Sequence, residues 1–243
     1  MAIDIRICDN LDLMADIQDS EVDLIYCDIL YGTGRNFGEY QDLKPKRDVI
    51  ERHYLLRFVE MKRVLKPRGT IYIHTGLNTA HWIRCLLDDV FGYSNFRNEI
   101  VWAYNSAPRK KHCFGNRHDI IYRYSLSDDF TFNPIREPYS DTAPRGYEKE
   151  KYYHNEGKVV GDVWDIKMLG QNDRTERNGY PTQKPKALIE RIIKTSSNEG
   201  ELVADFYAGS FTTAEVCKDL NRRFIGCDIN PNCFEKAKER GLF

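Results

Sequence analysis

The chain has 243 residues, with 36 Lys and Arg against 37 Asp and Glu, a formal net charge of −1. Apolar residues make up 41% and charged residues 30%, which excludes a disordered chain and allows a sizeable buried core. No apolar run approaches the roughly 20 residues that span a bilayer, and the seven cysteines include no C-x-x-C pair. A soluble, cytoplasmic protein without signal peptide, membrane segment, disulfide framework or metal site is therefore expected.

In chain order, residues 3–8 alternate with period two and residues 22–27 form a short apolar run entering a glycine-containing loop; both predict strands. Apolar residues at Val49, Ile50, Leu55, Phe58, Val59, Met61, Val64 and Leu65 follow helical spacing over 48–65. Lys66-Pro67-Arg68-Gly69 is expected to stop that helix, and 70–74 to resume as a strand. A helix over 79–90 follows. Between about residues 96 and 180 helical periodicity is weak and aromatics and prolines are frequent, which suits long functional loops. Beyond them, 185–196 predicts a helix, 201–206 a strand, 212–220 a helix, 223–228 a strand and 233–240 a helix. The expected fold is α/β: a doubly wound, mostly parallel Rossmann-like sheet whose halves are residues 1–96 and 181–243, with 97–180 inserted between them.

Two loops carry chemistry. The strand at 202–205 runs into Phe206-Tyr207-Ala208-Gly209-Ser210-Phe211-Thr212-Thr213 and then a helix. Gly209 permits close backbone approach to a ligand, and the helix start presents free N–H groups. One strand later, Asp228 stands where a strand's end holds ribose hydroxyls. The loop lacks the G-x-G-x-x-G pattern and a Walker lysine, so a nucleoside without a pyrophosphate, such as S-adenosylmethionine, fits better than a dinucleotide or triphosphate. An ordinary strand–helix turn with a surface aspartate is the alternative.

The second loop is Asp28-Ile29-Leu30-Tyr31-Gly32-Thr33-Gly34. An acid followed by an aromatic at a strand exit suits a flat base bearing an exocyclic amine. That amine's lone pair is delocalised into the ring. A carboxylate and a backbone carbonyl accepting its two hydrogens favour pyramidal nitrogen and stabilise developing positive charge. The ring can stack on the base. A strand-end turn residue and a core aromatic are the alternative.

Asp28-Ile-Leu-Tyr31, Asn98-Glu-Ile-Val-Trp102, Tyr180-Pro-Thr-Gln-Lys-Pro185 and Asp205-Phe-Tyr-Ala-Gly-Ser-Phe-Thr-Thr213, in that order, resemble bacterial amino-methylating DNA methyltransferases of the β arrangement, which act on adenine N6 or cytosine N4. The likeness covers nearly the whole chain. It implies an S-adenosylmethionine-dependent enzyme in which Asp28, the Ile29 carbonyl and Tyr31 engage a flipped base. Asp9 would hold the cofactor's adenine, Thr182 and Lys184 would close over it, Asp205, Gly209, Ser210 and Thr212 would form its cradle, and Asp228 would take its ribose. The leading Asp favours adenine over cytosine, and no Pro-Cys dipeptide occurs to serve cytosine-C5 methylation. Direct transfer needs no metal. A restriction-modification role, a cognate restriction endonuclease and a homodimer come with the same likeness.

Two departures bear on activity. Ile29 and Leu30 replace the family tetrapeptide's prolines, which frees the loop and adds two N–H groups that need partners. Phe211 replaces a second glycine, where a side chain is expected to crowd the ligand or strain the backbone. A catalytically weak or silent DNA- and cofactor-binding member, and an enzyme acting on cytosine N4 or RNA, are the competing readings. For the double-stranded DNA partner, Arg97, Arg109, Lys110, Lys111 and Arg117 stand against one acid, Glu99, interleaved with Trp102, Tyr104 and Phe114. That mixture suits phosphate contacts and stacking. Arg136, Arg145, Arg174 and Arg177 extend the surface.

Overall fold

The computed structural model describes residues 2–37, 40–104, 111–139, 154–170, 175–180 and 182–242. Its strands are β1 (Ile3–Ile7), β2 (Val22–Asp28), β3 (Leu65–Thr75), β4 (Phe96–Ala103), β5 (His118–Ser125), β6 (Arg136–Glu137), β7 (Lys158–Val159), β8 (Val163–Asp165), β9 (Leu202–Asp205) and β10 (Arg223–Asp228). The helices are α1 (Asn10–Ala15), α2 (Arg47–Val64), α3 (Ala80–Phe91), α4 (Lys186–Ser196), α5 (Thr212–Asp219) and α6 (Pro231–Glu239).

One eight-stranded sheet runs β1-β10-β9-β2-β3-β5-β4-β8, and β6 pairs with β7 apart from it. Within the large sheet only β5 runs against the others. The central strands are apolar because both their faces are covered. On β2, Ile25 and Cys27 pack with Leu13, Phe58 and Leu87 of α1, α2 and α3. The alternate residues Leu24 and Tyr26 pack with Ile192, Val216 and Cys233 of α4, α5 and α6. The result is three layers, helix on sheet on helix. Among the described residues no helix is long and apolar enough to cross a membrane.

The 97–180 segment departs from its expected part. It supplies β4, β5 and β8 to the main sheet, so residue 97 does not divide sheet from insertion. Lys66-Pro67-Arg68-Gly69 also lies within a strand. Val22 pairs with Leu65 and Leu24 with Thr70, so the extra residues of β3 are absorbed as an irregularity in register. The Lys66 ammonium fixes that irregularity by pairing with Asp23 at 2.7 Å.

Candidate active site

β2 and β9 lie side by side, and the chain leaves them in opposite directions, β2 through α2 to β3 and β9 through α5 to β10. Such a reversal opens a crevice at the strands' carboxyl ends. A cavity of about 380 Å³ occupies it, and Asp28, Ile29 and Tyr31 line it together with Asp205, Gly209 and Asp228. The two loops singled out in the sequence therefore share one cleft.

Asp28 ends β2 and is held from two directions. The Lys184 ammonium forms an ion pair with its Oδ2, and the Tyr31 hydroxyl lies 3.1 Å from its Oδ1. The Tyr31 oxygen is also 3.0 Å from Asp119 Oδ2 and 3.1 Å from His74 Nε2. Burial, then the charges of Asp28 and Asp119, hold this phenol well above its ordinary pKa. Tyr31 thus keeps its single proton, which it can donate to one carboxylate at a time. Burial acts against the Asp119 carboxylate, but His74, Lys184 and Tyr31 together outweigh it and hold its pKa below the ordinary value. His74 is fully buried on β3, with Nδ1 3.1 Å from the Tyr26 hydroxyl. The backbone N–H of Ile29 donates to the His74 carbonyl at 3.0 Å, so this loop donor has a partner.

The opposite loop is braced internally. Asp205 is buried; the Thr213 hydroxyl donates to its Oδ2 at 2.6 Å and the Tyr207 N–H to its Oδ1 at 3.1 Å. Burial is the largest influence and lifts its pKa to about 7, against those two hydrogen bonds and with the charges of Asp28 and Asp228 adding to the rise. Gly209 sits at φ +48°, and a Cβ there would meet the Tyr180 ring at 3.3 Å. Its N–H donates to Asp228 Oδ2 at 2.9 Å, while Asn230 donates to Oδ1 at 2.9 Å. Asp228 is raised by burial, and those backbone donors oppose the rise. The Ser210 and Thr212 hydroxyls lie 2.9 Å apart at the start of α5.

Phe211 takes a left-handed conformation, φ 57° and ψ 30°, so of the two expected consequences of a side chain here the backbone strain is present. Its side chain does not crowd the cleft. It is fully buried in the core beneath α4 and α5 and does not line the cavity.

Asp9 caps α1 by accepting from Leu11 at 2.9 Å and pairs with Arg57 at 2.8 Å. Beside it, Asn10 donates to the Phe206 carbonyl at 3.1 Å, but its buried Oδ1 has no partner. Asp9, Asn10, Thr182 and Lys184 all line the cavity. An orphaned acceptor, a Cβ-free approach at Gly209 and a strand-end carboxylate make a donor–acceptor set that fits a nucleoside. Asn10, Arg57, His74 and Asp119 were not singled out in the sequence. Only Asn10, adjoining Asp9, lay within reach of a local signal.

The basic residues divide. Lys111 and Arg117 are exposed just before β5, whose first residues stand at the cavity's end of the sheet. Phe114 between them is 98% exposed. Arg97 is at the other end of β4. Its guanidinium pairs with Asp128 at 3.0 Å and donates to the Ser127 carbonyl at 2.7 Å, which removes it from the expected DNA-facing set. Trp102 is also removed: it is buried, and its indole N–H donates to the Ile166 carbonyl at 2.8 Å. Arg136 donates to the Gly157 carbonyl at 2.8 Å. Arg109, Lys110, Arg145 and Arg174 lie outside the described residues.

A family described as DNA methylase matches residues 22–239. The type II methyltransferase M.HpaI of Haemophilus parainfluenzae is 36% identical, over 96% of this chain and 73% of its own length. The DNA adenine methyltransferase YhdJ of Escherichia coli (strain K12) is 34% identical, over 90% of this chain and 76% of its own. The crystal structure of the M1.HpyAVI-SAM complex shares the fold, with a TM-score of 0.67 at 22% identity, covering 99% of this chain and 100% of that one.

Proposed function

The chain belongs to the DNA methylase family, and from that premise we propose that it methylates adenine at N6 within a short sequence of double-stranded DNA. It is an S-adenosylmethionine-dependent DNA methyltransferase. The observation that supports the site assignment is the single cavity lined by Asp28, Ile29 and Tyr31 together with Gly209 and Asp228.

In this reading Asp28-Ile-Leu-Tyr31 is a variant of the family's catalytic tetrapeptide. Asp28 and the Ile29 carbonyl accept the two hydrogens of the target amine and free its lone pair. Tyr31 stacks on a base flipped out of the duplex, at an unstacking cost of a few kcal/mol. Asp9 and Asn10 face the cofactor's adenine, Asp228 its ribose, and Gly209, Ser210 and Thr212 the segment between ribose and methionine. Thr182 and Lys184 close over it, while Asp205 holds the loop in shape. S-adenosylmethionine, when bound, supplies an electrophilic methyl group. Lys111 and Arg117 meet DNA phosphates, joined by Arg109 and Lys110.

The leading Asp28 supports adenine, as does the 34% identity to a protein named a DNA adenine methyltransferase. The buried packing of Phe211 and the bonded N–H of Ile29 weigh against a silent member. A cognate restriction endonuclease, pairing of two copies and a cytoplasmic address belong to the same reading. Expression in a bacterial host without adenine methylation, followed by mapping of modified bases, tests it. N6-methyladenine in one short motif is expected. N4-methylcytosine would move the target, and unmodified DNA despite folded protein would overturn the proposal.

A further inference from the structure

A second cavity, of about 330 Å³, lies on the α4 face of the sheet, and no residue lines both cavities. Its floor is Tyr72 of β3, Arg123 of β5 and Ile100 of β4; Arg191 of α4, Phe132 and Trp164 of β8 form its walls. Two guanidinium groups thus face one space.

Arg123 is 5% exposed. Its Nη1 donates to Asn98 Oδ1 at 3.3 Å, but its buried Nε and Nη2 have no hydrogen-bond partner. The guanidinium carbon lies 4.8 Å from the Phe132 ring centroid and 5.0 Å from that of Phe130. Aromatic faces offer a cation electrostatic attraction, yet they accept no in-plane N–H. Burial lowers the pKa of Arg123, with the Tyr72 hydroxyl opposing and the charge of Arg97 adding to the fall. Arg191 rests 5.1 Å over Trp164 and has no ion-pair partner among the described residues. Burial lowers its pKa too, against the charge of Glu137, which itself pairs with Lys158 at 3.2 Å. Asp162 is the single acid lining this cavity, and its side chain belongs to an exposed residue at the rim.

Buried, unpaired cationic N–H donors are costly to leave without an acceptor. A cavity rimmed by two arginines and aromatic rings supplies what a molecule carrying both an oxyanion and a flat ring requires. We infer that this pocket is a second binding site, separate from the methyl-transfer cleft, that takes the phosphate group of a nucleotide between Arg123 and Arg191. The inference stands on this cavity alone and does not require the methyl-transfer assignment. The phosphate can come from a free nucleotide or from the DNA backbone, and the two sources are separable.

Calorimetric titration of the intact protein with thymidine 5′-monophosphate and with inorganic phosphate, the other cleft saturated with S-adenosylhomocysteine, reads the site directly. Saturable binding is expected, weakened about tenfold or more in Arg191→Ala, a half-buried position on α4 whose folding circular dichroism checks. Anisotropy of a labelled duplex across salt concentrations supplies the second arm. If DNA is the source, Arg191→Ala also weakens the duplex and flattens the salt slope by about one charge. If a free nucleotide is the source, duplex affinity is unchanged. Binding of equal strength in wild type and Arg191→Ala, or no saturable binding of either probe together with an unchanged duplex, overturns the inference. Arg123→Met, matching the arginine stem in length, should abolish phosphate binding while circular dichroism shows a folded protein. Retained binding in that variant is a further contradicting result.

Discussion

Lys184 and Asp28 are 156 positions apart in the chain and form an ion pair inside the cleft. The cleft is therefore closed by a contact between the end of β2 and the segment leading into α4. In the proposed reading Asp28 supplies the acceptor for the amine chemistry, whereas Asp9, Asn10, Gly209 and Asp228, which line the same cavity, take the nucleoside. Asp28→Ala should reduce methylation more than about a thousandfold while leaving S-adenosylmethionine affinity within a few-fold. Parallel methyl-transfer assays and calorimetry check this. Equal loss of both would make Asp28 a structural residue.

Phe211 combines an unfavourable backbone conformation with a fully buried ring. Phe211→Gly relieves left-handed strain of about 1–2 kcal/mol. It also empties a core site, and truncating a buried Phe costs about 3–5 kcal/mol. The net expectation is destabilisation by about 1–4 kcal/mol, read as a lower urea midpoint, with no gain in activity. A more active and equally stable variant would mean that the ring hinders the cleft after all.

Ile29 donates its backbone N–H to the His74 carbonyl at 3.0 Å. Proline at position 29 deletes that bond and leaves a buried acceptor short, a cost of about 1–3 kcal/mol. Ile29→Pro should therefore lower both thermal stability and kcat. Denaturation and steady-state assays decide it, and a rise in kcat would show that loop rigidity is the limiting factor.

Asp205 gives the protein a pH dependence of definite sign. Its folded pKa of about 7 lies above the ordinary 3.8, so the folded state retains a proton that the unfolded chain releases. The contribution to stability is fully present below pH 3.8 and is lost as pH rises toward 7 and beyond, by up to about 4 kcal/mol. Asp205→Asn carries no charge; with its Oδ1 accepting from the Tyr207 N–H, its Nδ2 amide donates to the Thr213 hydroxyl oxygen, which reverses that bond. Chemical denaturation at pH 5 and pH 8 should show wild type losing more stability than this variant. Equal losses would contradict the assignment.

The parts of this molecule that were legible in the sequence are those whose signal is local. Val22–Asp28 and Leu202–Asp205 are apolar runs ending in an acid, and buried parallel strands require that pattern. β4 and β5 were hidden because β4 carries Arg97, Asn98 and Glu99 directly after Phe96 and β5 buries Arg123 among its apolar residues, which breaks any alternation. Charge counting placed Arg97 among DNA contacts, but a count carries no direction along a strand. His74 and Asp119 reach Tyr31 only after β3 and β5 pair, so no window of sequence contains that cluster.

The most direct test supplies the protein with S-adenosylmethionine tritiated on its methyl group and unmethylated duplex DNA, then digests the DNA to nucleosides. The account predicts label in N6-methyladenine with the wild-type protein and none with Asp28→Ala. Label in N4-methylcytosine, or none from folded wild-type protein that binds the cofactor, would contradict it.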